Sequence, residues 1–128
     1  MKLVILAGGL GTRMPEYTRT IPKPMVKVNR LPIIQHIINH YLKFGVKQFY
    51  IALGYKKEII KKYFKNKKID YEMHLIDTGL KTMTGGRIKR IKKFINKNED
   101  FMVTYGDGIS NVNIKKLYNL HKKNKSLV

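Results

Sequence analysis

Four short apolar runs mark the chain: KLVIL (2–6), QFYIAL (48–53), YEMHLI (71–76) and FMVTY (101–105). The first, second and fourth are nearly continuous in apolar residues, the pattern of strands in a sheet covered on both faces. The third alternates more and carries the weaker strand signal. Helical stripes lie between and after them. PIIQHIINHYLKFG places Ile33, Ile34, Ile37, Ile38, Tyr41 and Leu42 at helical spacing, with Pro32 suited to the first helical position and Gly45 to the stop. KKEIIKKYFKN repeats the pattern through Ile59, Ile60, Tyr63 and Phe64. GGRIKRIKKFI sets Ile88, Ile91 and Ile95 on one face with basic residues opposite, and NVNIKKLYNLHKK does the same with Ile114, Leu117 and Tyr118.

Strands alternating with helices predict right-handed crossovers and a parallel sheet, an α/β domain over residues 1–128. No repeat, long linker or low-complexity block divides it. The closing KSLV reads as the start of another strand, and a sheet cut there leaves an exposed edge. The expectation is a fragment or shortened version of a longer protein.

Composition narrows the class. With 128 residues and 43% hydrophobic content, the chain suits one compact domain with a real core. The 27 basic residues outnumber 8 acidic ones, for a net charge of +19. Because most are lysines on the polar sides of predicted helices, the excess reads chiefly as a solvated face. It still favours polyanionic small ligands such as nucleotides. No DNA-reading motif or RNA-stacking aromatic signature accompanies it, so no specific nucleic-acid partner is expected. Absence of cysteine excludes disulfides, thiol nucleophiles and cysteine-ligated zinc. No run approaches the roughly 18 to 20 apolar residues of a membrane span, and MKLVILAGG, with one lysine and a short apolar run followed at once by glycines, is not expected to be a signal peptide. These features read as a soluble, cytoplasmic protein.

Three segments carry candidate chemistry. LAGGLGTRM follows the first strand but fits neither the P-loop nor the dinucleotide fingerprint. Its physical logic is nonetheless that of a phosphate loop. Gly8, Gly9 and Gly11 let backbone N–H groups approach a ligand, and Arg13 adds a rigid charged fork. Lys23, between two prolines in IPKPM, is a cation on stiffened backbone. TYGDG (104–108) ends the fourth strand, where ligands collect in open α/β sheets. Its Asp107 can ligate Mg²⁺ beside phosphates or simply form an Asp-Gly turn. In DTGLKTMTGGRIKRI, Thr82, Thr84, Gly85 and Gly86 precede a helix whose N-terminus could face an anion, while Thr84 could equally be a plain N-cap. Arg87 lies in that helix's first turn, where the dipole disfavours a cation, a hint of a ligand role. His36 and His40 have the i, i+4 spacing of a metal pair but no evident third ligand in the sequence, and His74, in a strand, and His121, on a helix, point to no ligand set. Ser110 and Ser126 suggest no catalytic triad.

Together, LAGGLGTRM…IPKPMVKV resembles the signature of the sugar-1-phosphate nucleotidyltransferases. Within that family, IDTGLKTMTGGRIKRI, VTYGDGISNVNI and GYKKEIIKKYF are most similar to the glucose-1-phosphate cytidylyltransferase branch. The resemblance runs along essentially the whole chain and covers about the N-terminal half of the family's catalytic domain. It implies a Rossmann-like three-layer αβα sandwich with a mainly parallel sheet, of the nucleotide-diphospho-sugar transferase type and truncated here. It also implies Mg²⁺-dependent formation of CDP-glucose and pyrophosphate from CTP and glucose 1-phosphate, serving surface polysaccharide (lipopolysaccharide O antigen) or deoxysugar synthesis. By the same resemblance, CTP contacts fall at Leu6, Ala7, Gly8, Gly9, Leu10, Gly11, Thr12 and Arg13, and at Lys23, Thr82, Arg87 and Gly106. Asp107 matches the family's first metal ligand. Arg13 would hold the leaving pyrophosphate and Lys23 would neutralise the reacting phosphates.

The chain also departs from the family. Its second metal-binding aspartate and most sugar contacts would fall beyond Val128, and Asn111 stands where the cytidylyltransferases have an aspartate. The stretch between YFKNKK and YEMHLIDTG is shorter than in relatives whose insertion contributes to assembly, which leaves a homo-oligomer open. Alternatives are a nucleotide-binding fragment without turnover, a UTP- or dTTP-using enzyme and, remotely, a basic nucleic-acid module. The last leaves the GGLGTR loop unexplained.

Overall fold

The computed structural model describes residues 1–12 and 15–125, with Tyr17 described by its backbone alone. Four parallel strands, β1 (Lys2–Ala7), β4 (Gln48–Leu53), β5 (Glu72–Asp77) and β6 (Phe101–Tyr105), form a sheet in the order β5-β4-β1-β6. A two-stranded hairpin, β2 (Lys27–Val28) and β3 (Leu31–Pro32), stands apart. The helices are α1 (Pro15–Thr18), α2 (Ile33–Leu42), α3 (Lys57–Lys65), α4 (Thr84–Ile91) and α5 (Ile114–Asn124). Short 3-10 turns occupy Lys23–Met25 and Lys92–Phe94.

Every residue of β1 is buried, as its apolar run predicts. Successive side chains in a strand point to opposite faces, so the run serves two cores. Leu3 and Ile5, with Phe49 and Ile51, pack against Ile34, Ile37 and Ile38 of α2 and Ile60 and Phe64 of α3. Val4 and Leu6, with Tyr50 and Ala52, pack against Ile91, and Ile88 and Ile95 close the same cluster. These are the three layers of the expected sandwich. β5, an edge strand, is only half-buried along its middle, which accounts for its more alternating sequence.

Two details differ from the sequence pattern. Pro32 pairs with Lys27 in the hairpin and precedes the helix rather than opening it, because its ψ of 146° is extended. Ile33 becomes the first helical residue, and its N–H donates to the Val26 carbonyl at 2.9 Å. The apolar stripe of α5 is buried at Ile114, but Leu117 is 51% exposed. The reason is the sheet edge. Among the described residues β6 pairs only with β1, and α5 flanks an open apolar groove lined by Phe101, Val103, Leu117 and Leu120. Most of the KSLV stretch, Ser126–Val128, lies outside the described residues.

Three surface carboxylates are held below their ordinary pKa. Asp77 accepts from Lys57 Nζ at 2.6 Å and from the Gly79 N–H at 3.0 Å, the lysine having the larger effect. Glu72 is lowered by His74 and then by Gln48, and Asp100 chiefly by Lys122 at 3.0 Å. A carboxylate with a lowered folded-state pKa adds stability above its unfolded value of about 4, and loses it as pH falls through the folded value. The urea midpoint is therefore expected to drop between pH 7 and pH 3. A Glu72→Gln, Asp77→Asn, Asp100→Asn variant should drop less; an equal drop would assign acid sensitivity elsewhere. All three pairs are exposed, so each contribution is modest.

Candidate active site

The loops leaving β1, β5 and β6 meet at the carboxyl ends of the parallel strands, where an open α/β sheet leaves a crevice. A cleft of about 210 Å³ opens there, lined by Leu6, Ala7, Gly8, Gly9, Gly11, Lys23, Pro24, Thr82, Met83, Thr84, Arg87, Tyr105 and Asp107. Nine residues proposed from sequence are thus brought together, from four separate segments. Gly106 lies just beneath, its N–H donating to the Leu6 carbonyl at 2.9 Å. Leu10 and Thr12 are exposed on the same loop but do not line the cleft. Arg13 lies outside the described residues.

The glycine loop is held by its carbonyls. Gly8 O accepts from Tyr55 N–H at 3.2 Å and from Arg87 Nη2 at 2.9 Å. Gly11 O accepts from Thr18 Oγ1 at 2.7 Å, and the glycine's φ of +65° is one that side-chain-bearing residues rarely adopt. Among the described residues, the N–H groups of Gly9, Leu10, Gly11 and Thr12 have no hydrogen-bond acceptor. A run of uncommitted N–H groups on a loop tied down by its oxygens is suited to an anion.

Lys23 projects from the 3-10 turn between the buried Pro22 and Pro24. Its Nζ lies 3.0 Å from Asp107 Oδ2, with side chains 25% and 39% exposed. Opposite charges of the 3-10 turn and the β6 loop therefore meet in one cleft. Across it, α4 begins. Met83, not Thr84, is the N-cap residue, and no side chain caps the helix. Thr82 Oγ1 accepts from Arg90 Nη1 at 2.9 Å. Arg87 is buried, and burial holds its pKa below the ordinary arginine value.

A resident Mg²⁺ would fit this donor set. The ion keeps several waters and is commonly bound by one or two carboxylates plus substrate phosphates, which Asp107 beside an anion cradle can offer. Among the described residues no three histidine, cysteine or acidic side chains cluster. His36 and His40 bond through Nε2 to the carbonyls of Val28 and Val112, at 2.6 Å and 2.8 Å. His40 thereby ties the chain following Asp107 to α2.

A model of the nucleotidyl transferase family matches residues 2–128. The chain belongs to that family. Glucose-1-phosphate cytidylyltransferase of Salmonella typhimurium is 41% identical across 95% of this chain and 56% of its own length. D-glycero-alpha-D-manno-heptose 1-phosphate guanylyltransferase of Campylobacter jejuni is 39% identical across 91% and 52%. The crystal structure of HddC from Yersinia pseudotuberculosis complexed with GMP-PN superposes with a TM-score of 0.79 at 32% identity, covering 94% of this chain and 53% of that one. The chain spans about half the length of the relatives it matches. Among its described residues no helix is long and apolar enough to cross a membrane.

Sequence reasoning missed Met83 and Tyr105 as cleft residues and Thr78 and Gly54 beneath it. Thr78 and Gly54 each follow a strand directly, a signal available in IDTG and IALGY. Met83 is 80% exposed, and an apolar side chain so placed between two threonines is a further sign.

Proposed function

We propose that the chain binds CTP and contributes to transfer of its cytidylyl group to glucose 1-phosphate, releasing pyrophosphate. The observation that carries this reading is the glycine loop, whose Gly9 and Gly11 line the same cleft as the Lys23–Asp107 pair and whose N–H groups have no acceptor among the described residues. A phosphate oxygen of the sugar phosphate attacks the α-phosphorus. The bond from that phosphorus to the bridging oxygen breaks, and its electron pair leaves with pyrophosphate. Such a transfer needs positioning and charge neutralisation more than covalent help. The N–H groups of Gly9–Thr12 take phosphate oxygens, Lys23 neutralises the reacting phosphates, and Arg13 holds the departing pyrophosphate. Asp107 would hold Mg²⁺, which when bound supplies Lewis-acid neutralisation of phosphate oxygens. The product nucleotide sugar would feed cytoplasmic assembly of surface polysaccharide or deoxysugars, the role that the sequence resemblance implies.

A guanylyl reading has its own support, in the guanylyltransferase relative and the GMP-PN-bound neighbour. Thermal midpoints with CTP, GTP, UTP and dTTP, each with Mg²⁺, separate the cases through ligand linkage. The largest rise is expected with CTP, accompanied by pyrophosphate release when glucose 1-phosphate is added. A larger rise with GTP selects the guanylyl reading. Binding without release confines the chain to nucleotide binding, and no rise with any of the four sinks the proposal.

A further inference from the structure

The guanidinium of Arg87 is committed to the protein itself. Nη1 donates to the Gly79 carbonyl at 2.7 Å, to Thr78 Oγ1 at 2.8 Å and to the Leu53 carbonyl at 3.2 Å. Nη2 donates to the carbonyls of Gly8 at 2.9 Å and Leu80 at 3.4 Å. Its acceptors therefore come from the chain leaving three different strands, β1, β4 and β5. Thr78, wholly buried, completes the arrangement by donating its own hydroxyl proton to the Leu53 carbonyl at 2.8 Å. Among the described residues no carboxylate bonds to the guanidinium. Nε–H alone has no acceptor among the described residues.

The glycines around it carry the same message. A Cβ added at Gly8 would fall within the guanidinium, and one at Gly54 would lie 2.6 Å from Nη1. The first glycine of GGLG is thus required by Arg87, not only by a ligand. A planar fork with fixed donor directions suits this task, which the single ammonium of lysine cannot perform.

We propose that Arg87 is a positioning residue: a buried guanidinium staple that locks the glycine loop to the β4 and β5 loops and so presets the loop N–H groups for a polyphosphate. The proposal rests on the nucleotide reading of the cleft for its effect on affinity; the staple itself is judged separately. Amide exchange in the nucleotide-free protein reads it directly, because Tyr55 N–H donates to Gly8 O and Thr78 N–H to Leu53 O at 2.9 Å. In Arg87→Lys, which keeps the charge but loses the fork, these two amides are expected to exchange at least about tenfold faster, a change of about 1.4 kcal/mol in local opening, while Val4 is unchanged. CTP binding should weaken at least about tenfold in the same variant.

Wild-type rates at Tyr55 and Thr78 with weakened CTP binding would make Arg87 a ligand contact instead and overturn the staple. Faster amides with unchanged CTP affinity would overturn the positioning role. Should Arg87→Lys fold poorly, a cycle of Gly8→Ala and Arg87→Ala decides by urea unfolding. The alanine at Gly8 is expected to shift the midpoint less when Arg87 is gone, and additive shifts would count against the staple. A wild-type chain indifferent to CTP would remove the proposed function, while the amide rates and the cycle would still uphold or overturn the staple.

Discussion

Asp107→Asn is expected to erase the Mg²⁺-dependent part of CTP binding, a loss of about tenfold or more in affinity, or about 1.4 kcal/mol. The carboxylate stands at the end of β6, on the loop whose Gly106 N–H is anchored to the Leu6 carbonyl at 2.9 Å. That anchor does not depend on the side chain, so the substitution should leave the fold intact. The carboxylate's partner is Lys23, 3.0 Å away and partly exposed. An ion pair so placed adds little stability, and the thermal midpoint without ligand should barely move. What changes is the charge balance of the cleft. Asparagine keeps the shape but offers no charge to a divalent cation, so Mg²⁺ should no longer tighten nucleotide binding. Calorimetric titration with CTP, with and without Mg²⁺, is the measurement. If Mg²⁺ still tightens binding by the wild-type factor, Asp107 is not the metal ligand and TYGDG reverts to an Asp-Gly turn.

Phe49→Ala is expected to cost about 3–5 kcal/mol of folding stability, the largest effect of any single core substitution in this chain. Among the described residues Phe49 is the largest fully buried side chain, and it lies in the core between the sheet and α2 and α3. It also meets Tyr71 edge to face at 5.2 Å between ring centroids. Truncation removes both the transfer free energy of the ring and its packing, because β4 is held on both sides by parallel neighbours and cannot collapse into the void. Domains of this kind have roughly 5–15 kcal/mol in total, so the variant should be near the margin of folding. Urea unfolding measures it. A loss below about 1 kcal/mol would mean that the core around β4 is far more plastic than its burial indicates.

The fold was largely legible because each core strand is short and almost wholly apolar. KLVIL and QFYIAL have no register in which one face could be left in water, which dictates a two-sided sheet. α5 was legible only as a helix. Leu117 and Tyr118 have the spacing of a buried stripe, but spacing cannot report whether a neighbouring strand exists to bury them. The cleft was legible through its glycines and through Lys23 and Asp107, which the fold brings together from positions far apart in sequence. Arg87 was visible as a cation at the wrong end of a helix. The dipole argument suggested a ligand, and the structure places carbonyl oxygens from three loops around the guanidinium. Apart from the Thr78 hydroxyl, those acceptors are main-chain atoms, which leave no trace in residue identity.

The flank of β6 that no described strand covers bears on how this 128-residue chain would behave in solution. Exposed Phe101, Val103 and Tyr105 alternate along a strand whose outer hydrogen-bonding groups meet no other strand among the described residues. Two copies could zip together there, and a net charge of +19 keeps them apart. That repulsion reaches about 10 Å at 0.1 M salt and only about 3 Å at 1 M. For this 128-residue chain, self-association is therefore expected to rise between 0.1 M and 1 M salt, which light scattering would measure.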